Sequence, residues 1–251
     1  MRRRKLWGVL LLGAAAPAAL AQHEHEGDVE VGATAEGRLG AIFEQDAPSV
    51  LYPFAAFGLE GWLGDEPGFE AIEKAEENLL PLAEGCEVWL RVDALDDALR
   101  VFDGGLNEIH VGGAILLGGH DLHEHALWFI DADSPQYDAD QEAWSGTFTL
   151  LDEGATGYAD SAPIVIAFTP ACKPGQTLTV ACRGGDKIVA KLRGGRVDAE
   201  LTARLDGDAN TDAELHVNDR GKGRAKFKRV ADGPHQVEVV ECGTTDNTVC
   251  P

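Results

Sequence analysis

Imidazole is the side chain that most often ligates a transition metal, and closely spaced histidines are the simplest way to bring two nitrogens to one ion. The chain has 8 histidines, and they are unevenly spread. His120, His123 and His125 fall in Gly118-Gly119-His120-Asp121-Leu122-His123-Glu124-His125, and His23 and His25 flank Glu24 near the start. If the backbone is extended at His123 and His125, both rings project to one side, about 6.5 to 7 Å apart along the chain. They can then converge on one ion, with His120 swung in by its glycine loop as a third ligand. The competing reading is structural, with polar residues that cap a strand and hydrogen-bond the adjoining loop. His110, His216 and His235 have no partner in sequence and are read as ordinary.

Other chemistry is poorly represented. There is no Cys-x-x-Cys, no His-Glu-x-x-His, no phosphate loop and no nucleophile elbow. A cupin motif fails because four residues, not five, separate Gly118 from His123, and Phe129 and Ile130 stand where the acidic ligand belongs. A copper histidine brace requires His23 as the first residue after processing, against a better cleavage site after Ala21. Asp131 with Asp133, and Asp138 with Asp140, offer oxygens to calcium, but Pro135 interrupts them. The run from Asp206 to Asp212 begins like a calcium loop, yet Thr211 replaces the required glycine and Val217 the bidentate glutamate. Solvated turns are the preferred reading of all three, with calcium a weak alternative.

The elements that must position the histidines are mostly strands. Asp28–Gly32 and Glu87–Val92 alternate apolar and polar residues, and Val111–Leu117, Ala126–Ile130, Gly146–Leu151 and Pro163–Phe168 are short apolar runs between turn residues. Ala126, Trp128 and Ile130 opposite Leu127 and Phe129 make that strand a central one. One helix is expected within Pro67–Leu82, where Phe69, Ile72, Ala75 and Leu79 recur at helical spacing and Pro81 stops it. Beyond residue 176, alternating runs separated by Gly- or Asp-rich turns read as consecutive hairpins.

The start of the chain reads as an export signal over residues 1–21. Arg2, Arg3, Arg4 and Lys5 precede an apolar stretch to Leu20, and Ala19-Leu20-Ala21 fits a cleavage site. That stretch is short for a membrane span, and no later one qualifies. The chain ends at Pro251 without a hydrophobic tail, so free secretion is expected over surface anchoring. The net charge of the whole chain is −22, and residues 22–168 hold 31 acidic and 4 basic side chains, whereas residues 169–251 hold 12 and 13. Every Trp and Tyr after the signal also precedes residue 169, and four of five Cys follow it. These shifts predict an acidic β-sandwich domain over 22–168 and a small immunoglobulin-like, disulfide-stapled sandwich over 169–251. The acidic half disfavours nucleic acid and anionic membranes.

Four cysteines allow three pairings. Cys182 with Cys242 and Cys172 with Cys250 is favoured, because Cys182 and Cys242 each end a strand-like run; the local pairs Cys172–Cys182 and Cys242–Cys250 come next. Cys86 is expected to be a buried free thiol.

Several segments together carry a family resemblance: His25-Glu26-Gly27-Asp28-Val29-Glu30-Val31, Asp65-Glu66-Pro67-Gly68-Phe69, Gly119 to Phe129, and Gly146 to Pro163. Over residues 23 to 169 the chain resembles a largely uncharacterised group of secreted or surface-associated bacterial β-sandwich proteins with a histidine-rich strand before an aromatic. More remotely it resembles MopE-like surface proteins, which hold copper with two histidines and an oxidised Trp; only the histidines carry over. The resemblance implies an exported bacterial protein, periplasmic, surface-held or secreted.

The reading as a whole is a non-enzymatic exported protein binding a transition metal, copper ahead of zinc, through His120, His123, His125, His23 and His25. Copper leads because an all-imidazole set without cysteine or an obligatory nearby carboxylate suits it and it heads the divalent affinity order. The first alternative is an extracellular adhesion or matrix module, binding a surface protein or polysaccharide, with structural histidines. The second is an oxidative copper enzyme with an N-terminal brace.

Overall fold

The computed structural model describes residues 27–251, so the export signal, His23 and His25 lie outside the described residues. The first strands are β1 (Val29–Thr34), β2 (Leu39–Ile42), β3 (Ser49–Ala56), β4 (Leu59–Gly64), β5 (Phe69–Ala71), β6 (Leu79–Leu80) and β7 (Val88–Leu95). Next come β8 (Leu99–Phe102), β9 (Glu108–Ile109), β10 (Ala114–Gly118), β11 (His123–Glu124), β12 (Leu127–Asp131), β13 (Trp144–Asp152) and β14 (Ile164–Pro170). The last seven are β15 (Thr177–Arg183), β16 (Lys187–Arg193), β17 (Glu200–Leu205), β18 (Asp208–His216), β19 (Lys222–Lys228), β20 (Gly233–Val239) and β21 (Thr244–Cys250). Among the described residues the one helical turn is a 3-10 turn at Val240–Cys242. None is a helix long and apolar enough to cross a membrane.

The chain is all-β because alternation dominates its apolar pattern. Val88, Leu90 and Val92 are fully buried while Trp89 and Arg91 between them are partly open. β1, β2, β5, β6 and β11 form a five-stranded sheet, and β10-β7-β13-β14-β3-β4-β12-β8-β9 a nine-stranded one. Val29, Val31, Leu39 and Phe69 of the first share one buried cluster with Leu90, Val101, Trp128, Phe148 and Phe168 of the second. β12 lies between β4 and β8, inside its sheet, as its apolar content predicts. A second cluster is built from β15-β16-β19 and β18-β17-β20-β21, running from Leu178 to Cys250.

The expected helix at Pro67–Leu82 does not form. Phe69 and Leu79 are buried by pairing with β1, parallel through β5 and antiparallel through β6, and Ala75 between them is exposed. Sheet hydrogen bonds and core sites for Phe69, Ile72 and Leu79 outweigh a helical spacing of four residues. Neither favoured disulfide pairing is found either. Cys172 joins Cys242, and Cys182 joins Cys250. β15 and β21 run side by side without a backbone ladder: the Val180 amide donates to Asp246 Oδ2 at 2.7 Å and the Cys182 amide to Thr248 Oγ1 at 3.2 Å. That alignment brings the two strand ends, and with them Cys182 and Cys250, together. Cys86 is free and buried, and burial pushes its thiol up, which leaves it a weak nucleophile.

Candidate metal centre

The histidine segment changes sheets. His123 and Glu124 pair with Glu70 and Phe69 of β5, whereas Leu127 onward pairs with β4 and β8. His125 and Ala126 are the crossing, so the uninterrupted strand the spacing suggested is broken here. β5 in turn pairs in parallel with β1, Phe69 opposite Val29, which sets Asp28 beside the crossing. Trp128 anchors the fourth side. Its ring is fully buried against Phe69, Phe148 and Phe168, and its Nε1–H donates to the Pro67 carbonyl at 3.1 Å. The loop from Asp65 to Gly68 is thereby held against His125.

The two imidazoles meet edge on. His123 Nε2 lies 3.2 Å from His125 Nε2. Two imidazole nitrogens at ~2.0–2.1 Å from one tetrahedral ion stand about 3.3 Å apart, so the observed spacing fits a single shared ion. His125 Nδ1 lies 3.0 Å from the Asp65 carbonyl oxygen. A carbonyl only accepts, so Nδ1 carries the proton and Nε2 presents its lone pair. Such a carbonyl partner is the usual way of orienting a ligating imidazole. Asp28 completes the group: one ligand atom from each of Asp28, His123 and His125 lies within 4.8 Å of the others.

Carboxylates concentrate negative charge at this point. Asp28 is 8% exposed, and its Oδ1 accepts from the Gly68 amide at 2.8 Å. Its Oδ2 is buried with no N–H or hydroxyl donor. The Glu66 carboxyl beside it can supply one only while protonated. Burial, then the contact with Asp28 and the Asp28 charge, raise the Glu66 pKa, with His125 and the Gly68 amide opposing. Two carboxyls, one with a buried unsatisfied oxygen, and two convergent nitrogens form a donor set of the kind that a divalent ion neutralises. Three protein ligands would leave coordination positions open.

Of the histidines singled out by spacing, the structure brings His123 and His125 together. His120 stays outside the group, half exposed, with Nδ1 3.9 Å from Asp121 Oδ1. His110 is exposed beside Glu108, and His235 serves the second half of the chain. The calcium candidates are committed to turns: Asp131, Asp138 and Asp208 each accept the amide two residues on, and Asp131 also pairs with Arg100 at 3.0 Å. Sequence reasoning missed Asp28, Glu66 and Gly68 as site residues. The only sign of them was that their two segments stood out alongside the histidine run.

No protein family model matches the chain, and no curated protein matches it. Among solved structures, the crystal structure of chicken CNTN1 FN1-FN3 domains aligns over 83% of this chain and 69% of that chain, at 8% identity and a TM-score of 0.31. A likeness at that score carries no argument about fold or function.

Proposed function

We propose that this chain is an exported, non-enzymatic bacterial protein of two β-sandwich domains, divided near residue 168, whose first domain binds one transition-metal ion. His123 Nε2 and His125 Nε2 are the imidazole ligands, and Asp28 is the carboxylate ligand. The observation that carries the reading is the 3.2 Å approach of two Nε2 atoms, one of them on a ring oriented by the Asp65 carbonyl. Copper stands ahead of zinc in the affinity order of nitrogen and oxygen sites. The Asp28 carboxylate moves the set toward zinc relative to an all-imidazole site, so both ions belong in the test. His25 is three residues from Asp28, at most about 11 Å of chain, and with His23 is proposed as a further donor. Two disulfides in a chain of this size fit an oxidising compartment and support export.

The test is metal content of protein exported without an affinity tag, followed by titration with Cu²⁺ and Zn²⁺. The parent is expected to hold one equivalent tightly, and His123→Ala with His125→Ala to lose it while remaining folded by circular dichroism. Equal affinity in parent and double variant would remove the site.

A further inference from the structure

Alternation along β15, β16 and β19 sends apolar residues to the second core and leaves a row of cations outside. Leu178, Val180, Ile188, Ala190, Leu192, Ala225 and Phe227 are buried. The residues between them include eight Lys or Arg and no carboxylate on any of the three strands. All eight cations are exposed. The register sets them against one another: Lys187 opposite Lys228, Lys191 opposite Arg224, Arg193 opposite Lys222, and Arg183 opposite Lys187. Among the described residues the arginine ion pairs are those of Arg91, Arg100 and Arg204, none of them on this face, and no lysine forms one.

Like charges directly across a sheet destabilise it, and this sheet stacks such pairs in a chain whose net charge is −22. Cross-strand pairing within the sheet gains nothing from that arrangement. We propose that the outer face of the β15-β16-β19 sheet binds an anionic polysaccharide. Strands about 4.8 Å apart, with same-face side chains about 6.6 Å apart along each, present a flat grid of charge that suits a linear chain of regularly spaced sulfates or carboxylates. No aromatic ring projects from the grid, so there is no platform on which nucleic-acid bases could stack. No apolar anchor projects either: Val189, the one large apolar residue of outward parity, is only 4% exposed, among the flanking lysines. Protein hot spots and interfacial membrane segments need such anchors. Screening over about 8 Å at physiological salt weakens the repulsion between a polymer on this face and the acidic half of the molecule. A second copy, whose acidic half also complements this face, is the rival occupant that the ultracentrifugation arm tests. The inference stands on the second half of the chain and does not depend on the metal site.

The test uses the full chain on immobilised dextran sulfate, with unsulfated dextran as the neutral control and duplex DNA and analytical ultracentrifugation as rival arms. The variant combines Lys187→Glu, Lys191→Glu and Arg193→Glu. Each new carboxylate faces a β19 cation and Lys187→Glu also faces Arg183, so four repulsive pairs become attractive and the melting temperature is expected to hold or rise. Retention on dextran sulfate at physiological salt should be lost in the same variant, and in the parent it should weaken as salt is raised. No retention of the parent, or equal retention of the variant, overturns the proposal. Tighter binding to DNA, or self-association abolished by the variant, overturns it in favour of a nucleic acid or a second copy.

Discussion

A Cβ built on Gly68 would stand 2.5 to 2.7 Å from Cε1, Nδ1 and Nε2 of His125, closer than real Cβ contacts come. The Asp65 carbonyl fixes the ring from one side and the Gly68 backbone from the other, so a methyl group must displace it. Gly68→Ala is expected to weaken metal affinity at least roughly fivefold, since overpacking of this kind costs about 1–3 kcal/mol. Gly119→Ala, whose Cβ would meet only ordinary contacts, should leave affinity unchanged. Competition titration of both variants against a chelator checks this, and equal affinities would show that the ring has room to move. The histidines were legible from their spacing. Asp28 and Gly68 were not, because they meet each other across 40 residues, their loop meets His125 through Asp65 across 60, and nothing local to either position announces a partner.

Strands were legible wherever burial alternates, and β7 and β19 are the clearest cases. The segment around Phe69 and Leu79 was misread because a helical period of four apolar residues also fits two short strands, and only the presence of β1 decides between them. The disulfides were illegible for a related reason. β15 and β21 are adjacent through side-chain contacts, which no strand pattern reveals. Elements in the second half are also tied by an ionic link. His235 of β20 donates to Asp206 Oδ2 in the β17–β18 turn at 2.7 Å and to the Ala231 carbonyl at 2.8 Å. With acceptors on both nitrogens, the charged ring is favoured: the Asp206 hydrogen bond first, then the Ala231 carbonyl, raise His235 above its ordinary 6.5. Burial opposes ionisation of Asp206, but the bonds from His235 and the Gln236 amide outweigh it and hold the carboxyl below 3.8. The His235 contribution is complete below pH 6.5 and lost as pH rises through the raised value. The Asp206 contribution is present above 3.8 and lost as pH falls through the lowered one. Stability of this half should therefore decline from mildly acid to mildly alkaline pH, and His235→Ala should flatten that slope in urea melts followed by circular dichroism.

At the scale of the molecule, two buried clusters divide the chain near residue 170, and their spectroscopic content divides with them. No Trp or Tyr follows residue 168, while both disulfides do. Reduction should therefore lower the denaturation midpoint seen by far-ultraviolet circular dichroism, by about 2–4 kcal/mol of stability for each bridge lost. The midpoint seen by Trp fluorescence should stay where it was. Movement of both together would mean that the two clusters unfold as one unit. The shift in composition at this point was legible in the sequence. The arrangement of the first half into five- and nine-stranded sheets was not, because strand order depends on pairings between distant segments.

Asp28 stands immediately before β1, at the end of its sheet nearest the start of the chain, and the histidines stand where the chain passes from that sheet to the other. An ion held by all three would be a mechanical clasp. Tension applied through the N-terminal segment would otherwise peel β1 away one hydrogen bond at a time. With the clasp closed, the load would pass through coordinate bonds directly to β11 and the crossing before β12, so the strand would be sheared as a whole rather than unzipped.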